Sequence, residues 1–149
     1  MDVRMFSVFT LFFLAEAFPL KYPSFQPQYN QTNSNHANSF LKTDVKDVKD
    51  GMFILTYTIG NRLEGDHLEA KKSGAIFQST PQDYTQTLYY PENNNYGRQI
   101  TYIEIIVQQT GPRGEIRVIK GGIGKPYIVL TVKSQNTLLF IYNATLYTF

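Results

Sequence analysis

The chain has 149 residues, is 42% hydrophobic and carries a formal net charge of +2, which suits one domain with a real core plus some extra chain. It contains no cysteine, which excludes disulfides, thiolate catalysis and every Cys-based zinc or iron–sulfur site, so the domain has to be held by core burial. The two charge signs are mixed along the chain, with no basic or acidic tail to suggest a nucleic-acid or membrane partner.

The N-terminus has the layout of a cleaved secretory signal. MDVR carries one cation, Arg4, offset by Asp2. MFSVFTLFFLA (5–15) is apolar apart from Ser7 and Thr10, and Ala15-Glu16-Ala17 supplies small residues at the two positions a signal peptidase reads. As a membrane anchor the apolar run is too short. Its helix would rise about 16 Å against a hydrocarbon core of roughly 30 Å. Residues 1–17 are therefore expected to be a signal peptide, with the mature chain starting at Phe18, secreted, and without a membrane anchor.

Residues 18–51 read as a polar, disordered N-terminal arm and linker. QPQYNQTNSNHANS (26–39) has too few apolar groups to offset the entropy of ordering. KTDVKDVKD (42–50) alternates charge signs around Val45 and Val48, as a solvated linker or a turn or two of helix would.

From Met52 to Phe149 the texture changes to short alternating runs separated by turn residues. MFILTYTI (52–59) puts Phe53, Leu55, Tyr57 and Ile59 on one face, between Asp50-Gly51 and Gly60-Asn61. DHLEAKK (66–72) is a weaker strand or a short helix. YTQTLYY (84–90) stops at Pro91, and PENNNYG (91–97) is a loop. ITYIEIIVQQ (100–109) carries Ile103, Ile105 and Val107 on one face and Tyr102 and Ile106 on the other, as an inner strand does. TGPRG (110–114) is a turn and EIRVIK (115–120) a strand. PYIVLTVK (126–133) directs Ile128, Leu130 and Val132 inward, with Pro126 at its first position. LLFIYNATLY (138–147) aligns Leu138, Phe140, Tyr142, Ala144 and Leu146. About seven short strands with short connections predict an all-β, antiparallel β-sandwich.

GGIGK (121–125) invites comparison with a phosphate-binding loop. That motif needs a glycine five positions before its Gly-Lys pair, a hydroxyl after the pair and then a helix. Here those positions hold Ile119 and Pro126, and a β-branched run follows. Gly121, Gly122 and Gly124 read instead as turn glycines between two strands.

The candidates for catalysis are sparse. There are two histidines. His36 lies in the polar arm. His67 adjoins Asp66, and neighbours on a strand point to opposite faces, so no triad assembles from them. Glu104 sits inside an apolar strand with no partner carboxylate in view, suiting a sheet edge or a pairing with a cation better than a glycosidase pair. No metal-ligand spacing appears. The expectation is a protein that is not an enzyme, with no catalytic, metal or cofactor-binding residues and no cofactor.

Asn30-Gln31-Thr32 and Asn143-Ala144-Thr145 are glycosylation sequons, making Asn30 and Asn143 candidate sugar carriers. Asn143 shares its strand face with Thr145 and Tyr147, away from Phe140 and Tyr142. The strand tyrosines (Tyr84, Tyr89, Tyr90, Tyr102, Tyr127, Tyr142, Tyr147) fit either a binding face or half-buried sheet positions.

GNRLEGDHL (60–68), ITYIEI (100–105), GGIGKPYIVLTVKSQ (121–135) and FIYNATLY (140–147) together resemble the arthropod multiprotein bridging factor two family, whose members are often called salivary secreted peptides. The resemblance covers about residues 55–149, and its third segment is the most specific. Two stretches depart from the family pattern: QQTGPRGE (108–115) is shorter than the usual Gly-rich stretch, and only Asn136-Thr137 stand where a hairpin is usual. The resemblance implies two roles. One is a secreted protein of unassigned function, which with the sparse catalytic residues and mixed charges gives the main expectation: a secreted, extracellular, non-enzymatic protein that binds an unidentified protein or small-molecule partner and no nucleic acid. The other is a transcriptional co-activator bridging a nuclear receptor complex and a basal factor. It implies no catalytic residues.

Overall fold

The computed structural model describes residues 41–48, 50–92 and 97–149. The expected signal segment, the polar arm through residue 40, His36 and the Asn30 sequon lie outside the described residues. The described chain forms six strands: β1 Leu41–Val48, β2 Met52–Gly60, β3 His67–Tyr90, β4 Ile100–Gln109, β5 Arg113–Gly121 and β6 Ile128–Thr148. All pairings are antiparallel, in the order β1-β2-β4-β6-β3, with β5 also pairing with β6.

The architecture follows from two long strands that change partners along their length. The second half of β6 lies between β4 and the first half of β3, from Ile100↔Thr148 to Gln109↔Phe140 and from His67↔Thr148 to Phe77↔Leu139. Its first half lies between β5 and the second half of β3, from Gly121↔Ile128 to Arg113↔Gln135 and from Tyr90↔Ile128 to Tyr84↔Ser134. Register shifts at Phe77, Gln82 and Tyr84, and a left-handed Asn136 (φ 50°), bend both strands at this changeover. One sheet is thereby folded onto itself as a two-layer sandwich without closing into a barrel. The larger layer is β1, β2, β4 and half of β6 and β3. The smaller is β5 with the other two halves.

The inward residues are those the alternation predicts. Leu55, Tyr57, Ile59, Ile103, Ile105, Val107, Phe140, Tyr142 and Leu146 of the larger layer meet Leu88, Ile128, Leu130 and Val132 of the smaller. Ile105 and Phe140 are fully buried. Tyr57 is seated beneath Gly114, where any Cβ would meet its hydroxyl, so the lone hydrogen of Gly114 lets β5 close over β2. Burial, then the nearby Glu115 charge, pushes the Tyr57 hydroxyl well above the ordinary tyrosine range.

The strand count differs from about seven for a specific reason. The runs at 66–72 and 84–90 fall, from His67 on, in the two halves of β3, and those at 126–133 and 138–147 fall, from Ile128 on, in the two halves of β6. Residues 67–72 are strand, not helix, because β6 offers them a partner from Thr148 to Ala144. Leu41–Val48 is an edge strand paired with β2, where a linker was expected. Its side chains are mostly exposed, so hydropathy carries no trace of it. Asp50 (φ 70°) and Gly51 (φ 71°) turn the chain back into β2. Leu138 is 39% exposed, not inward, because the Asn136 kink shifts the phase and buries Thr137 instead. Pro126 stands two residues ahead of β6, within the turn.

Candidate functional site

Three connections meet at one end of the sandwich. The first leaves β2 at Gly60, whose left-handed backbone (φ 79°) brings it close to the Thr101 carbonyl and to Ile123. It then forms a tight turn organised by Asp66. Arg62 donates from Nε and Nη2 to Asp66 Oδ1 at 2.9 and 2.7 Å, while the Leu63 amide (3.0 Å) and Thr101 Oγ1 (3.0 Å) donate to Oδ2. The Arg62 hydrogen bonds foremost hold the Asp66 carboxyl down at about 2, the Leu63 and Thr101 bonds adding to them. The Arg62 guanidinium also lies 3.6 Å from the centre of the Tyr147 ring, a cation–π stack. Arg62 and Asp66 therefore act as a brace, and His67 beside them is exposed.

The second connection is the glycine loop. Gly121 (φ 71°), Gly122 (φ 129°) and Gly124 (φ 78°) all have positive φ. Three of the loop amides already have backbone partners. Gly122 N–H donates to Tyr127 O (3.1 Å), Gly124 N–H to Ile100 O (2.8 Å) and Lys125 N–H to Gly122 O (3.0 Å). A phosphate cradle needs such amides free and convergent, so the loop is a structural turn.

The third is the entry to β4. Ile100 N–H donates to Lys125 O (3.0 Å), and Phe149 N–H donates to Gln99 O (3.0 Å). The three together line an open cleft of about 290 Å³, walled by Gly60, Leu63, Ile100, Thr101, Ile123 and Phe149. Leu63 and Phe149 are 53% and 66% exposed at its rim. The size is near the lower limit of small-ligand sites, and the lining is apolar with few polar groups.

The remaining candidates fall elsewhere. Glu104 is on the outer face of the larger layer in a central strand, neither inward nor at an edge, and accepts from Tyr102 Oη at 3.3 Å. Tyr142 is buried and Tyr84 packs on Phe140 at 4.8 Å between ring centres, so both serve the core. Tyr90 Oη accepts from the Arg98 amide. Tyr102 and Tyr147 pair on the outer face at 6.0 Å, and Tyr89 and Tyr127 are exposed. Asn143 is exposed on β6, opposite Ile106 of β4 and Ser73 of β3. Sequence reasoning did not find the Arg62–Asp66–Tyr147 brace or the Leu63/Ile123/Phe149 rim. The i,i+4 spacing of Arg62 and Asp66 around Gly65 was the one local signal for the brace.

The fold and this end define an all-β protein with an apolar surface cleft braced by Arg62 and Asp66. A family model described as Transcription activator MBF2 matches residues 59–148, and the chain belongs to that family. No curated protein and no solved structure gives a significant match. The matched span contains all four segments that carry the family resemblance. Three of them supply walls of the cleft: Gly60 and Leu63, Ile100 and Thr101, Ile123 and Gly124.

Proposed function

We propose that the chain is a non-enzymatic binding protein that bridges partners as a transcriptional co-activator, with the end cleft as its contact surface. The observation that carries this is the meeting of three separate family-marking segments at one apolar cleft. A rim with exposed Leu63 and Phe149 beside a stacked Arg62–Tyr147 pair has the composition of a protein-binding anchor site, where aromatic and arginine side chains dominate the energy. The description of the family as transcription activators supports the bridging role. The surface needs neither a cofactor nor nucleic acid to act in this way.

A second reading is a secreted, extracellular binding protein with an unidentified protein or small-molecule partner. The apolar run at 5–15 followed by Ala15-Glu16-Ala17 favours it. The full chain with a C-terminal tag, expressed in insect cells, separates the two. A co-activator is found in the nucleus with residues 1–17 retained. A secreted protein is found in the medium, starting at Phe18. For the co-activator reading, the chain fused to a DNA-binding domain should raise a reporter, and Leu63→Asp should abolish the rise while leaving the melting temperature unchanged. A flat reporter from nuclear, folded protein would refute it.

A further inference from the structure

The outer face of the larger layer carries a polar pair that the fold does not use. Asn143 is exposed there, and Thr145 stands two residues along on the same face, opposite Glu104 of β4 and Lys71 of β3. The Thr145 hydroxyl is buried and has no hydrogen-bond partner among the described residues. A valine would fill this central-strand position with the same shape and without the cost of an unpaired hydroxyl. The hydroxyl donates to and accepts from no described residue, yet it completes Asn143-Ala144-Thr145 as an acceptor sequence.

We propose that Asn143 carries an N-linked glycan that covers this face; the proposal rests on the secreted reading. In the transfer, the Asn143 side-chain nitrogen attacks C1 of a lipid-diphosphate-linked oligosaccharide. The new C1–N bond replaces the C1–O bond, the lipid diphosphate leaves, and the amide proton passes to a base of the transferase. β6 is hydrogen-bonded along both edges at this point, to β4 and to β3. The transferase cannot bend the segment away from its neighbours once they pair, so the sugar is added before β6 docks. In the folded protein the first sugars then lie over Ile106, which faces Asn143 directly, and over Ile141 one step along the strand. Ile54 of β2 completes that apolar row across Gln108. The glycan leaves the end cleft open, so partner contact falls there and not on the sheet face.

The test is peptide mapping of the full chain recovered from insect-cell medium. Digestion with peptide-N-glycosidase A in heavy-oxygen water should convert Asn143 to a labelled aspartate. The label should be lost completely in Asn143→Gln and Thr145→Val and kept in Thr145→Ser. Thr145→Val should melt no lower than the bacterially made wild type, as an unpartnered hydroxyl requires. Asn30 serves as an internal control. A labelled Asn30 with a bare Asn143 overturns the proposal and leaves the secreted reading intact. A chain found only inside the cell and bare at both positions overturns both.

Discussion

Gly121 and Gly124 lie in one loop but are constrained differently. Both have left-handed backbones, at φ 71° and 78°. A Cβ on Gly121 would run into the Tyr127 carbonyl, whereas on Gly124 the nearest atom would be Gln99 Nε2 at 3.7 Å, an ordinary contact. Gly124→Ala should therefore cost only the left-handed penalty, about 1–2 kcal/mol. Gly121→Ala adds a backbone collision and should cost about 3 kcal/mol or more. Urea denaturation of the two variants checks the order. At Asp66 the prediction concerns pH. Its folded carboxyl is held at about 2, chiefly by Arg62, below the unfolded value of about 3.9. A depressed carboxyl contributes stability above the unfolded value and loses it as pH falls through the folded one. The gap in melting temperature between wild type and Asp66→Asn should be constant above about pH 5, narrow between pH 4 and 2, and close below 2.

At the scale of the element, the sequence discloses faces better than lengths. The alternation of β2, β4 and the first half of β6 is visible because each buries one face in the core. The continuity of β3 and β6 is hidden because Ser73-Gly74, Pro81 and Ser134-Gln135-Asn136 read as turns. Pro81 is tolerated because it lies in the register break between Phe77 and Gln82, on a strand that pairs with β6 alone. The bend in β6 is pinned by a buried polar cluster. Gln109 Oε1 accepts from Ser134 Oγ, Gln109 Nε2 donates to the Gly111 and Arg113 carbonyls, and the Thr110 amide donates to Thr137 Oγ1 at 3.1 Å. Gln109 is only 1% exposed. In the sequence it looks like an ordinary polar strand end, because its partner Ser134 is distant along the chain. Gln109→Ala strands the Ser134 hydroxyl and two carbonyls and should lower stability by about 2–4 kcal/mol, measured by chemical denaturation.

At the scale of the molecule, β6 pairs with three strands, β3, β4 and β5, and follows all the other described strands in chain order. The same topology explains what was legible of the candidate site. The glycine loop could be read as a turn from Ile119 and Pro126 alone, whereas the cleft it walls could not. Leu63, Ile100, Ile123 and Phe149 are far apart in sequence and meet only because β2, β4 and β6 run antiparallel to a common end. Long-range pairing of this kind cannot be rewarded until the last strand arrives, so folding should be slow, in the millisecond-to-second range of all-β domains. It also makes the two ends of the domain unequal. Deleting residues 137–149 removes Phe140, Tyr142 and Leu146 from the core and strips β4 and half of β3 of a neighbour. That chain should show no cooperative melt by circular dichroism and no protected amides in β2 or β4. Among the described residues, deleting residues 1–50 removes one edge strand whose side chains are mostly exposed. The shortened chain should keep a cooperative melt and protected amides in β4 and β6, with new exchange confined to the uncovered edge of β2. Loss of cooperativity in the second deletion would mean that β1 holds the sandwich together through its backbone pairing alone.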